Sequence, residues 1–262
     1  MELAPMYRLS VCADSCFRQL PFKERVEKIS SAGFLVEFWG WTSRDIDWLA
    51  ADPKIKIGTF SGHVGGSIVH PDGVETYMEG VRRTLPVAKK LACRELLALT
   101  GELSYEGEVI HPIADHPATM WITAYKSLCR LAELAEQHDV VYNLEPLNTV
   151  LDHPGYPLAR PIDAAHLLRE VGSPRIKILL DIYHTQMQQG NVIQFLREYA
   201  EMIGYVHVAD VPGRREPGTG EINYPMIAST LKDIGYQGVV GLEAFPDGND
   251  EQALTRFRET FQ

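Results

Sequence analysis

Glu145, Asp181, His207 and Glu243 are the residues whose types and spacing point most directly to chemistry. Each lies in or at the end of a short apolar run: Asn143-Leu144-Glu145, Leu179-Leu180-Asp181, Val206-His207-Val208 and Gly241-Leu242-Glu243. Taken singly, each has an ordinary explanation. Asp181 precedes a helical stretch and could cap it, Glu243 reads as a surface residue, and a His between valines reads as a hydrogen-bonded core residue. Together they read differently. Three carboxylates converging on one mouth would repel and raise one another's pKa unless a cation sat among them. Three carboxylates and one imidazole suit a divalent metal, Mn²⁺ or Mg²⁺. A thiolate site is not indicated, because Cys12, Cys16, Cys93 and Cys129 lie away from these runs and show no C-x-x-C pairing.

A divalent ion held there would polarise a carbonyl and an adjacent hydroxyl, stabilising the enediolate that forms when an α-proton leaves. One glutamate could remove that proton and the other return it. Glu145 and Glu243 are thus the candidate acid/base pair. Metal-dependent isomerisation or epimerisation of a small hydroxy-carbonyl compound follows from this arrangement; hydrolysis, which needs a metal-bound water and a leaving group, is the alternative. Further polar and aromatic groups fall on the same loops. His184 lies three residues beyond Asp181, and Arg214 and Glu216 lie beyond His207. Glu37 and His63 could face the pocket from the opposite side, and Trp39 and Trp41 could form an apolar wall. For these, solvation or packing is an equally ordinary explanation. Glu106, Glu108 and His111 read as exposed loop residues.

The elements that must position these groups follow from periodicity. Strands are predicted over 8–13, 34–38, 55–60, 95–99, 140–145, 176–181, 205–209 and 239–243. Helices are predicted over 21–32, 45–51, 71–92, 115–137, 161–171, 185–201 (interrupted near Gly190), 224–234 and 250–261. Eight strand-then-helix units without a linker predict a single α/β domain over residues 1–262, a (β/α)8 barrel. The strand C-terminal ends, where the four candidate ligands lie, carry the site in such a barrel. A doubly wound sheet is the alternative, but the turn Asp14-Ser15-Cys16-Phe17-Arg18 lacks the glycines that bind phosphate there. Residues 146–160, with three prolines, are long enough to be a functional loop.

With 45% hydrophobic and 23% charged residues, the composition is that of an ordinary soluble protein. The net charge of −10 argues against non-specific nucleic-acid binding. No apolar run approaches a membrane span, and no signal-peptide core opens the chain. A cytoplasmic protein with reduced thiols is expected.

The motifs Leu-Glu-Pro-Leu-Asn (144–148), Asp-Ile-Tyr-His (181–184), His-Val-Ala-Asp-Val-Pro-Gly-Arg-Arg-Glu-Pro-Gly-Thr-Gly-Glu-Ile (207–222) and Gly-Leu-Glu (241–243) resemble the xylose-isomerase-like TIM-barrel superfamily. The long strand-seven motif is most similar to the hydroxypyruvate isomerase branch, which includes 2-oxo-tetronate isomerases. The resemblance implies that Glu145, Asp181, His207 and Glu243 bind the metal and that the two glutamates are the acid/base pair. It further implies that His184 and an Arg after strand seven contact substrate, with Arg214 a better match than Arg215. His207 stands where that branch often has Gln and where ketose 3-epimerases have His. The implied substrate is therefore hydroxypyruvate, a 2-oxo-tetronate or a ketose. Such barrels commonly pair into dimers or tetramers. The competing readings are a lyase or decarboxylase acting on a keto-sugar derivative, a non-catalytic sugar-binding barrel, and a DNA-repair endonuclease of the same superfamily.

Overall fold

In a computed structural model, which describes residues 7–110, 112 and 115–262, eight parallel strands form a nearly closed barrel with helices around it. The strands are β1 (Arg8–Cys12), β2 (Leu35–Phe38), β3 (Ile57–Phe60), β4 (Glu95–Ala98), β5 (Val141–Leu144), β6 (Ile176–Asp181), β7 (Ile203–Val208) and β8 (Val239–Leu242). Hydrogen-bonded neighbours run β3-β2-β1-β8-β7-β6-β5-β4. The remaining seam, β3 against β4, is joined by a bridge between Ser61 and Leu97 and by the Gly62 N–H donating to the Leu97 carbonyl at 2.7 Å. Gly62 is required at this approach, since a Cβ there would lie 2.3 Å from the Tyr142 ring.

The helices are α1 (Phe22–Ser31), α2 (Ile46–Ala51), α3 (Val74–Lys90), α4 (Pro117–His138), α5 (Pro161–Val171), α6 (Ile182–Gln188), α7 (Val192–Glu198), α8 (Tyr224–Asp233) and α9 (Asp250–Phe261). Each long helix buries one face against the sheet. On α3 that face is Tyr77, Met78, Val81, Leu85 and Ala88, at helical spacing. Three helix starts differ by two or more residues from the sequence expectation. α3 begins at Val74 rather than 71, because Pro71–Gly73 form a separate 3-10 turn. α4 begins at Pro117 rather than 115, because the His116 ring caps it by accepting from the Ala118 N–H. α6 begins directly after Asp181 rather than at 185, because the Asp181 carboxylate accepts the His184 N–H at 2.9 Å. The expected interruption near Gly190 occurs where Gly190 and Asn191 take left-handed backbone angles, so α6 and α7 are separate pieces.

Inside the barrel, Leu97, Leu179, Tyr205 and Val239 form a small apolar plug, separate from the larger core between sheet and helices. All four cysteines are free. Among the described residues no helix is long and apolar enough to cross a membrane.

Candidate active site

The C-terminal ends of β5 to β8 bring the four candidate ligands together. Asp181 and His207 are register partners on β6 and β7. Glu145 and Glu243 follow the last residues of β5 and β8. All four are buried, and one ligand atom from each lies within 4.8 Å of those of the others. His207 Nδ1 is 3.6 Å from Glu145 Oε1 and 3.8 Å from Glu243 Oε2. Glu145 Oε1, Asp181 Oδ2 and His207 Nδ1 have no hydrogen-bond partner. Buried polar atoms are rarely left so, and three converging on one point fit a cation. Asp181 serves twice: Oδ1 caps α6 while Oδ2 faces the cluster.

The local charges are uneven. Burial, helped by the charges of Glu243 and Asp181, pushes the Glu145 carboxyl up to about 7. Asp181 is also raised by burial, against the pull of Arg214. Burial works in the same sense on Glu243, yet Arg214, His207 and the Trp39 hydrogen bond hold its carboxyl below the ordinary value. His207 resists its burial and is raised well above the usual range by Glu37, Glu145 and Glu243.

Glu37 was one of the residues that could face the pocket or simply pack. It lies in the barrel interior, accepting from Tyr205 Oη at 2.5 Å, from Ser10 Oγ, and across 2.9 Å from His207 Nε2. Two glycines make room for it. A Cβ at Gly241, the register partner of both Ser10 and His207, would stand 2.3 Å from Glu37 Oε1. A Cβ at Gly58 would stand 2.6 Å from Tyr205 Oη. A carboxylate on one ring nitrogen leaves the other, Nδ1, for the cluster, which is the usual support of a metal-binding imidazole.

Above the cluster opens a cleft of about 550 Å³. Trp39, Trp41, His63, Leu99, Tyr105 and Phe245 are among its walls, and it reaches Glu145, Arg214 and Glu243. Asp181, His184 and His207 lie behind these and are not on its wall. Trp39 does more than line the wall: its Nε1 donates to Glu243 Oε1 at 2.6 Å. Its own backbone N–H is fixed by Asp14, which also pairs with Arg44. His63 stacks on Tyr77, and burial lowers its pKa to about 4, so it is a neutral wall residue. Trp41 is tied to Thr84.

Left-handed backbone at Gly213 and Arg214 turns the Arg214 guanidinium back over the strand ends, where it pairs with Glu243 and lies 3.9 Å from Asp181 Oδ2. Arg215 points away, to Asp247. Glu216 does not join the cleft; its carboxylate pairs with Arg256 of α9 at 3.0 Å, because the loop has by then turned onto the helical layer. Glu106 and Glu108 are exposed, and His111 lies outside the described residues.

The residue reading missed Asn148, Asp152, His153 and Tyr183. Asp152 and His153 line the cleft, and Asn148 and Tyr183 support them from behind. All but Tyr183 sit on the proline-rich loop, which carries no periodicity; its length was the available signal.

A profile of the Xylose isomerase-like TIM barrel family matches residues 38–260. The chain belongs to this family. A putative hydroxypyruvate isomerase of Homo sapiens is 34% identical over 72% of the chain and 67% of its own length. The hydroxypyruvate isomerase of Escherichia coli K12 is 29% identical over 95% of the chain and 97% of its own length. Among solved structures of the same barrel, the crystal structure of AP endonuclease, family 2, from Brucella melitensis superposes with a TM-score of 0.88. It is 27% identical and covers 97% of this chain and 98% of that one.

Proposed function

We propose that this family member is a divalent-metal-dependent isomerase or epimerase of a small hydroxy-carbonyl compound, with hydroxypyruvate or a 2-oxo-tetronate as first candidates and ketoses as the neighbouring class. The observation that carries the reading is the buried cluster of Glu145, Asp181, His207 and Glu243 beneath the cleft. The names of the two isomerase relatives support the reaction class.

These four residues would hold the ion, with Mn²⁺ or Mg²⁺ favoured by the oxygen-rich donor set; when bound, it supplies a Lewis acid to paired substrate oxygens. The chain's own residues divide the remaining work. Glu145 would hold the ion through Oε1, and its carboxylate is placed beside the bound substrate to exchange a proton with the substrate carbon. Glu243 works from the opposite side of the mouth, where Trp39 and Arg214 orient both of its oxygens. Arg214 and His184 receive substrate oxygens. Trp39, Trp41 and Phe245 line the cleft, give it an apolar wall and limit water there.

The test is solvent exchange. In D₂O the protein should incorporate deuterium at the hydroxyl-bearing carbon next to the carbonyl of hydroxypyruvate, a 2-oxo-tetronate or a ketose only with divalent metal present. Glu145→Gln and Glu243→Gln should each slow exchange by about 10²–10⁴-fold. Full exchange in either variant, or exchange indifferent to chelation, would refute the reading. Loss of carbon or of a leaving group without isomer would favour a lyase, and binding without exchange a non-catalytic barrel. The name of the Brucella protein raises DNA repair. A net charge of −10, and a single metal-capable cluster among the described residues, weigh against it.

A further inference from the structure

We propose that Asn148 is a positioning residue: gripped by Asp152, it keeps the proton of His184 on Nε2, so that His184 faces the cluster as a neutral hydrogen-bond donor. The consequence for substrate rests on the function proposed above; the location of the proton does not.

Asn148 is fully buried on the loop after β5, and every polar atom of its side chain is used. Its Oδ1 accepts the backbone N–H groups of Leu151 at 3.1 Å and Asp152 at 3.2 Å. Its Nδ2 lies 2.6 Å from Asp152 Oδ2 and 2.6 Å from His184 Nδ1. Flipping the amide would set oxygen against the Asp152 carboxylate and NH₂ against two N–H groups. One orientation therefore survives, and in it Nδ2 donates to both neighbours. The backbone N–H of Asn148 also points at His184 Nδ1, at 3.3 Å. A ring nitrogen receiving two N–H groups has no proton of its own, so a neutral His184 carries its proton on Nε2.

That Nε2 is buried, has no hydrogen-bond partner, and lies 3.9 Å from Asp181 Oδ2, which is also unpartnered. The separation is too long for a hydrogen bond, so the donor remains available beside the cluster. His207 is held the opposite way, with Nε2 against Glu37 and Nδ1 toward the glutamates. One histidine thus offers a lone pair and the other an N–H. A neutral donor of fixed tautomer stabilises charge developing on a substrate oxygen without first reorganising. Asp152 is itself anchored by the Tyr183 hydroxyl at 2.9 Å.

The test exchanges the two side chains. Asn148→Asp with Asp152→Asn conserves charge and keeps a hydrogen-bonded pair, but places a carboxylate against His184 Nδ1 and so draws the proton to that nitrogen. Long-range ¹⁵N–¹H correlation on the Mg²⁺-loaded, ¹⁵N-histidine-labelled full chain reads the tautomer. Expected is a proton on His184 Nε2 in the wild type and on Nδ1 in the double variant. With it, kcat for substrate proton exchange should fall about 10²-fold, while Mg²⁺ affinity by calorimetry stays within about twofold. A wild-type proton on Nδ1 overturns the proposal whether or not the variant folds. So does a variant that keeps the proton on Nε2, or one that moves it with exchange unchanged. If no substrate exchanges in the wild type, the proposed function fails while the wild-type spectrum still decides the tautomer.

Discussion

Glu145 and His207 both favour their protonated forms when no cation lies between them, Glu145 through burial and His207 through its three carboxylate neighbours. A bound cation must displace those protons, so affinity should rise with pH. Because Glu145 sits at about 7 and His207 well above its ordinary value, the rise should continue through pH 6 to 8, by at least about tenfold. Calorimetry in two buffers of different ionisation enthalpy checks this and counts the protons released; a pH-independent affinity would contradict it. The sign for stability is the reverse. A folded-state pKa raised above the unfolded value stabilises at low pH, and that stabilisation is lost as pH rises through the folded value. The metal-free protein should therefore melt lower at pH 8 than at pH 6. Much of this chemistry is legible from single residues, because a carboxylate or His at a strand end is visible in one dimension. Which oxygen each group presents is not. Glu37 and His207 are 170 positions apart, and only closure of the barrel puts 2.9 Å between them.

α6 shows how one element can answer two demands. The sequence offered Asp181 as either a helix cap or a ligand, and it is placed for both, one oxygen each. The two functions should separate on substitution. Asp181→Asn retains a capping acceptor and should change stability by less than about 0.5 kcal/mol, whereas Asp181→Ala should cost about 1 kcal/mol. Both should abolish tight metal binding. Thermal denaturation of the metal-free protein paired with calorimetry distinguishes them; equal destabilisation by Asn and Ala would show that the cap contributes nothing. The loop between β5 and α5 was the least legible element. Its length marked it as functional, but the contacts of Asn148 and Asp152 depend on how it folds back on α6. Glu216 fails for the same reason in reverse, since α9 supplies an Arg that no local pattern announces.

The barrel as a whole has one weak seam. β6 and β7 pair from Ile178–Ile203 to Asp181–His207 with one register shift at Gly204, whereas β3 meets β4 through one bridge and the Gly62 hydrogen bond. Native-state hydrogen exchange should open amides at 57–62 and 95–98 before those at 203–208; uniform protection across all eight strands would show that the seam closes cooperatively. The strong half of the sheet is also the half that carries Asp181 and His207, so the cluster rests on the best-connected strands. The order of strands and helices, the buried faces and the residue types at the strand ends were determined by the sequence itself, because each is set by patterns a few residues long. The tertiary structure alone decided which carboxylates converge into a cluster that could hold a cation, which support a histidine from beneath and which anchor a helix. Those assignments depend on register and on the space left at Gly58 and Gly241, where strands remote in sequence come within a side chain of one another.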